Sequence, residues 1–289
     1  MQASAFSMET ESPTDVDVLR ELLSSAFEAK DYRPPLLPDL ALKIVNFASS
    51  DADTSTLVTL IERDPLIAAR VIQVANSPLY GTRASASIHD ATVRLGRRTI
   101  VQIVMEVALQ SAVFSVKSYQ ASVQRVFDHS LATAHLSKLV AKSCGVVDES
   151  IYLCGLLHDI GTIGALGVLS EIEGGCPPLS LDLWMAIDDI HCAASGIIAG
   201  HWNLPAEITA VIQNHHQIHP DPQYIVPTAV VTLADALAST NGLGACEVFG
   251  VDTTTELTVS RCRDTLVLDD KTWALLQKEA EFMIELLKD

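Results

Sequence analysis

Apolar residues recur along this chain at three- and four-residue intervals, and no useful stretch alternates, so the pattern predicts helices throughout. Over residues 15–30, Val18, Leu19, Leu22, Leu23 and Phe27 form one stripe. Tyr32-Arg-Pro-Pro-Leu-Leu-Pro then enforces an extended connection. Short helices follow over 39–49, from Asp53 or Thr54 to near Asp64, and over 65–75, where Pro65 occupies the first turn. Asn76-Ser77-Pro78 stops the third and Tyr80-Gly81 turns the chain. A helix over 88–95 ends at Gly96, and a longer apolar one runs over 97–114. The polar stretch 116–122 joins two lobes. Further helices are predicted over 123–144, 148–160, 181–202, 205–216 and 227–239. Residues 241–264 are the hardest to assign. Leu268-Asp269-Asp270 caps a last helix carrying Trp273, Leu276, Phe282, Met283, Leu286 and Leu287. The expected class is all-α: a tail over 1–14, a small N-terminal helical lobe over 15–115, and a helical bundle over 116–289.

Charge and composition narrow the function. The chain has 289 residues with 19 Lys+Arg against 36 Asp+Glu, a net charge of −17. That field opposes a phosphate backbone, so no nucleic-acid partner is expected. The helix–Gly–helix around Gly96 reads as core rather than as a DNA-reading motif, because beyond Arg97 and Arg98 its second helix is almost wholly apolar. The hydrophobic share is 48% and aromatics only 5%, which suits a packed helical protein. No basic, apolar leader opens the chain. The longest apolar stretch, 100–114, is interrupted by Gln102, Glu106 and Gln110, so no membrane span is expected. Cys144, Cys154, Cys176, Cys192, Cys246 and Cys262 show no C-x-x-C pair and read as reduced thiols of a cytoplasmic protein.

The histidines carry the candidate chemistry. In the helix over 123–144, His129 shares a face with Thr133, Leu136 and Val140, so it points inward, while His135 points to water. His158-Asp159 leaves the end of an apolar helix just before Gly161. His191 falls on an apolar face with Trp184, Ile187, Ser195 and Ile198. His215 lies with Ile208, Val211 and Ile212, His216 adjoins it, and Asp235 sits inside Leu-Ala-Asp-Ala-Leu. A single inward His is usually a hydrogen-bonded core residue, and His89, His135, His201 and His219 are read so. A set of inward His and Asp, one group per successive helix, instead suits one or two borderline divalent ions: iron, manganese, zinc or nickel.

In this order His129, His158-Asp159, His191, His215-His216 and Asp235 resemble the HD superfamily of metal-dependent phosphohydrolases. The strings Leu36-Leu-Pro-Asp-Leu-Ala-Leu-Lys-Ile, Ile61-Glu-Arg-Asp-Pro-Leu-Ile-Ala-Ala-Arg, Val74-Ala-Asn-Ser-Pro-Leu-Tyr-Gly and Ser87-Ile-His-Asp-Ala-Thr-Val-Arg-Leu-Gly resemble the HDOD domain, an HD-related output domain of bacterial signalling proteins. The resemblance covers about residues 33–240. It implies a two-lobed helical fold and a regulatory role through protein–protein contacts with a signalling partner. Many HDOD members look degenerate at the metal site, whereas this set looks nearly complete.

The chain also departs from active HD enzymes. Thr162 stands where they often carry Lys, no Gly-Tyr-Pro follows, and Arg125 replaces a carboxylate one turn before His129. No receiver, kinase or cyclase domain is attached, so a sensory input would arrive from another chain or a ligand. The alternative is a metal-dependent phosphohydrolase acting on a nucleotide or cyclic nucleotide. There the resemblance implies one ion on His129, His158 and Asp235, and a second on His191, His215 and His216. Asp159 would bridge or orient water, and Arg125 would neutralise phosphate. The acidic balance and the missing Lys favour the regulatory reading.

Overall fold

The computed structural model describes residues 15–35, 37–48, 54–77, 80, 85, 87–116, 118–172, 177–217, 221–245 and 256–288. The expected tail over 1–14, His219, Cys176 and Cys246 lie outside them. All described regular structure is helical, in two lobes.

The N-terminal lobe comprises α2 (Asp39–Ala48), α3 (Thr54–Ile61), α4 (Pro65–Ala75) and the first part of α5 (Ile88–Ser115). Asp64 caps α4, its Oδ1 accepting from Leu66 N and Ile67 N, and Pro65 opens the first turn. The Asn76 side chain closes the next connection: Oδ1 accepts from Ser85 N at 2.6 Å and Nδ2 donates to Ser85 O at 3.2 Å. That pair gives the Asn-Ser string a structural job. Gly96 breaks α5 with φ +76, so the helices expected on either side of it meet at a kink. Beyond it Ile100, Val101, Ile103, Val104 and Met105 are buried, as a core helix requires.

The C-terminal lobe is built on α6 (Gln120–Ser143), flanked by α7 (Ile151–Leu157) and α11 (Pro222–Ala238). Around them lie α8 (Ile160–Ser170), α9 (Leu181–His201), α10 (Ala206–Ile212), a π-helical turn at Ser239–Leu243, α12 (Glu256–Thr265) and α13 (Asp270–Lys288). Among the described residues one stretch, Ile151–Ser170, has the length and apolar composition to cross a membrane, but it is interrupted at His158-Asp159 and most of it is buried inside the protein. The lobes meet where α5 touches α6 and α7. There the Tyr152 hydroxyl donates to Glu106, and Arg98 pairs with Glu149.

Several expectations change. The first helix, α1 (Asp15–Glu28), packs on α9 and α8, so the segment grouped with the N-terminal lobe sits in space on the other one. Leu23 and Phe27 are buried there, while Val18 and Leu22 of the same predicted stripe are about half exposed. Arg20 reaches Asp189 of α9, and Trp202 Nε1 donates to Pro35 O. α11 begins at Pro222, five residues earlier than expected, because Asp221 caps it and accepts from Gln223 N. Pro227 is carried inside it. In α13 the buried line is Leu276, Ala280 and Ile284, leaving Leu275, Phe282 and Leu286 exposed. His135 does not face water: it is half-buried, edge-on to Tyr152 at 5.3 Å, and burial lowers its pKa to about 4.

Candidate metal centre

The helix expected to stop at Gly161 does not. α7 ends at Leu157, His158 and Asp159 form a turn, and α8 restarts at Ile160 with Gly161 inside it. The turn projects both side chains of the pair inward. The reason for glycine is its approach to α9: a Cβ there would lie 2.1 Å from His191 O and 2.7 Å from Ser195 N. Ser195 fastens the same junction. Its Oγ accepts from Gly161 N at 2.9 Å and donates to His158 O at 2.7 Å. Ser195→Ala leaves two buried backbone groups without that partner, so the urea midpoint should fall by the equivalent of about 1–3 kcal/mol. An unchanged midpoint would show that the junction does not need this hydroxyl.

Three helices and two turns bring the expected residues together. His129 comes from α6, His158 and Asp159 from the α7–α8 turn, His191 from α9, His215 and His216 from the turn after α10, and Asp235 from α11. All but His216 are buried. Four imidazoles are oriented alike. Nδ1 of His129 donates to Leu243 O at 2.7 Å, of His158 to Gly155 O at 2.8 Å, of His191 to Asp188 O at 2.5 Å, and of His215 to Ile212 O at 2.7 Å. A carbonyl only accepts, so each Nδ1 carries its hydrogen and each Nε2 faces the centre.

Asp159 divides these nitrogens into two sets. Its Oδ2 lies 3.7 Å from His129 Nε2 and 3.6 Å from His158 Nε2. Its Oδ1 lies 3.4 Å from His191 Nε2 and 3.6 Å from His215 Nε2. Within the sets the two nitrogens are 3.1 Å and 3.2 Å apart. Asp235 Oδ1 joins the first set, 3.2 Å from His129 Nε2.

The carboxylates and facing lone pairs favour positive charge in this space. Burial resists ionising Asp159, but the surrounding histidines hold its pKa well below the usual carboxylate range, and His129 does the same for Asp235. Burial likewise opposes charge on His191, yet Cys192 and Asp159 raise it to about 9, and His215 rises for the same reasons. Burial also opposes charge on His129, but Asp235 raises it, while burial takes its neighbour His158 down to about 4. Each pair of facing nitrogens thus has a place for a proton. A divalent cation satisfies the same lone pairs and carboxylates together, and outer N–H bonds to backbone carbonyls are the usual support of metal-ligating histidines. His216 adds a buried Nδ1 with no hydrogen-bond partner, 3.8 Å from Asp235 Oδ2. The donor set therefore fits a divalent ion.

Arg125 lies half-buried on α6, one turn before His129. Cys192 was missed as a site residue. Its Sγ lies 3.5 Å from His191 Nε2, and its adjacency to His191 was the available signal.

Similarity to known proteins agrees with this picture. The HDOD domain model matches residues 35–218, more than half of the chain. A Treponema pallidum protein of uncharacterised function is 26% identical over 208 residues, covering 67% of this chain and 39% of that protein. Ribonuclease Y of Deinococcus radiodurans is 26% identical over 206 residues, covering 65% of this chain and 32% of that enzyme. The chain thus spans well under half the length of either relative. Among solved structures, an HDOD domain protein of unknown function from Geobacter sulfurreducens superposes with a TM-score of 0.69 at 25% identity, covering 94% of this chain and 99% of the other. A Shewanella amazonensis protein provisionally named a metal-dependent phosphohydrolase superposes with a TM-score of 0.70 at 17% identity, covering 94% and 98%, and shares the fold. With the helical architecture and the His/Asp order in place, the chain belongs to the HDOD domain family.

Proposed function

We propose that this chain is a regulatory signal-transduction protein that works through contacts with other proteins, and that its His/Asp centre holds metal without turning over a substrate. The burial of the centre carries this reading. His158 is 1% exposed and Asp159 6%, and the described cavity beside His216 holds about 50 Å³. Small-molecule sites are clefts of about 300–1,000 Å³. The roomiest described cleft, about 640 Å³, lies away from the centre, between Arg97 and Arg98 of α5, the 148–150 turn and α10. The exposed apolar side chains of α13 are of the kind that protein contacts cover. The net charge of −17 favours a partner with a basic face.

One observation favours a second reading, a metal-dependent phosphohydrolase: Asp159 offers one oxygen to each histidine pair. A divalent ion there would supply Lewis-acid polarisation of a phosphoryl oxygen. His129, His158 and Asp235 would hold one ion, His191 and His215 another, with Asp159 between them. The similarity to ribonuclease Y and to the Shewanella protein supports this alternative.

A direct assay separates the two. The protein is loaded with manganese, iron or zinc and offered a generic phosphodiester, a nucleotide and a cyclic nucleotide. The regulatory reading expects no turnover above that of His158→Ala. Metal-dependent hydrolysis that disappears in His158→Ala would sink it.

A further inference from the structure

We propose that the cleft between the two lobes is a docking groove for a short segment of a partner protein that carries Lys or Arg beside apolar side chains, and that its occupancy is transmitted to the His/Asp centre. This deepens the regulatory reading and rests on it. It adds the surface that is used and the chemistry of the segment that fits it.

The cleft holds about 640 Å³ and is walled by both lobes. Val45 of α2 and Val101 of α5 line it from one lobe, and Leu153 of α7 with Ile208 and Val211 of α10 from the other. All five are core residues, so the floor is apolar. Gln102 and Gln223 add side-chain amides, which both donate to and accept from a peptide backbone. The lining charge is acidic, with Asp148, Glu149 and Glu207 against Arg97 and Arg98. Asp148 Oδ1 accepts from Ser150 N at 2.8 Å and from Ser150 Oγ at 2.7 Å, which fixes the turn that carries Glu149. Glu149 and Glu207 are exposed. Arg98 pairs with Glu149 in solvent, and an exposed pair of this kind is readily exchanged for a partner's cation. Val147, one residue before the lining, is 93% exposed and adds apolar surface beside it. Carboxylates at the rim over an apolar floor select a basic, apolar segment over an anionic one, and the net charge of −17 acts in the same direction.

The helices that line the cleft from the C-terminal lobe also lead to the centre. α7 contributes Leu153 and ends in the His158-Asp159 turn. α10 contributes Ile208 and Val211 and runs into His215-His216. α11 contributes Gln223, Tyr224 and Pro227 and carries Asp235 about two turns further on. A shift of these three helices on docking therefore reaches the centre from three directions. The link is reciprocal, as any coupling between two binding sites must be.

Selection from a random heptapeptide library on the intact chain tests the groove. Enriched peptides should carry Lys or Arg next to Leu, Ile or Val. The best of them, synthesised, should lose at least about 10-fold in affinity when Glu149→Lys and Glu207→Lys are combined, because like charges then meet at the rim. Glu281→Lys with Glu285→Lys makes the same charge change on α13 and should leave the affinity unchanged. No enrichment, or enrichment of acidic peptides, overturns the proposal. Equal loss in the two double variants would show a response to overall charge and overturn the cleft as the location, as would full binding in the cleft variant. Peptide bound to wild type should also slow hydrogen exchange at the His158–Gly161 and His215–His216 amides, and binding that leaves them unchanged overturns the transmission to the centre. Failed selection without hydrolysis in the phosphodiester assay strikes the groove alone, whereas hydrolysis there removes the regulatory reading beneath it.

Discussion

Gly161→Ala is expected to be the most damaging single-methyl change in the C-terminal lobe. The added Cβ would sit 2.1 Å from His191 O, 2.9 Å from His191 C and 2.7 Å from Ser195 N. All three are backbone atoms of α9, so no side chain can swing aside to make room. Relief requires α8 and α9 to separate, which loosens the Ser195 bonds to Gly161 N and His158 O. Overpacking a core costs about 1–3 kcal/mol and occasionally more. The backbone clash and the lost bonds together place this variant at or beyond the upper end. The same displacement moves His191 relative to Asp159, so metal retention should fall with stability. Gly167→Ala is the control. It lies in the same helix with nothing within 4 Å of its added Cβ, and removing a helical glycine should gain up to about 1 kcal/mol. Thermal melting with metal analysis checks both. Equal melting temperatures for the two variants would refute the close-packing account.

Asp159→Asn should abolish metal retention in both halves of the centre while nearly preserving side-chain volume. One oxygen of Asp159 faces His129 and His158, the other His191 and His215. The amide keeps one oxygen, loses the negative charge, and turns the other ligand atom into a donor facing two Nε2 atoms. Loss of a mere outer-shell partner lowers metal affinity about 10–100-fold, so loss of the shared carboxylate should cost at least about 100-fold in each half. Asp235→Asn should weaken only the first half, because Asp235 Oδ1 approaches His129. Stripped protein supplemented with metal gives the readout. Ligand at about 1,000 times its Kd stabilises a fold by about 4 kcal/mol, so the wild-type melting temperature should rise on adding zinc or manganese and that of Asp159→Asn should not. A full wild-type response in Asp159→Asn would show that the carboxylate is not the shared ligand.

The sequence by itself determined much of this protein. Helical periodicity located most helices and turned His129, His191 and His215 inward, because a 3.6-residue repeat decides which side chains share a face, whereas His89 and His201, read as ordinary core histidines, are exposed. The adjacent His158-Asp159 and the Asp inside Leu-Ala-Asp-Ala-Leu marked buried charges in need of partners. Other features were settled only between helices. Gly161 read as a stop along the chain and proved to be the contact surface for α9, since what a missing Cβ makes room for depends on the neighbour. Val18 and Leu22 shared a stripe with Leu23 and Phe27, but α9 covers only part of that stripe. His135 lay on the outer face of α6 until Tyr152 came to cover it. Cys192, one residue from His191, points along a different direction of the same helix, and only the arrival of His215 from the turn after α10 brings it within reach of two imidazoles. Local sequence sets the face from which each side chain leaves its helix; the meeting of side chains that lie far apart in sequence depends on how the helices pack, and that is where the chemistry of this centre was decided.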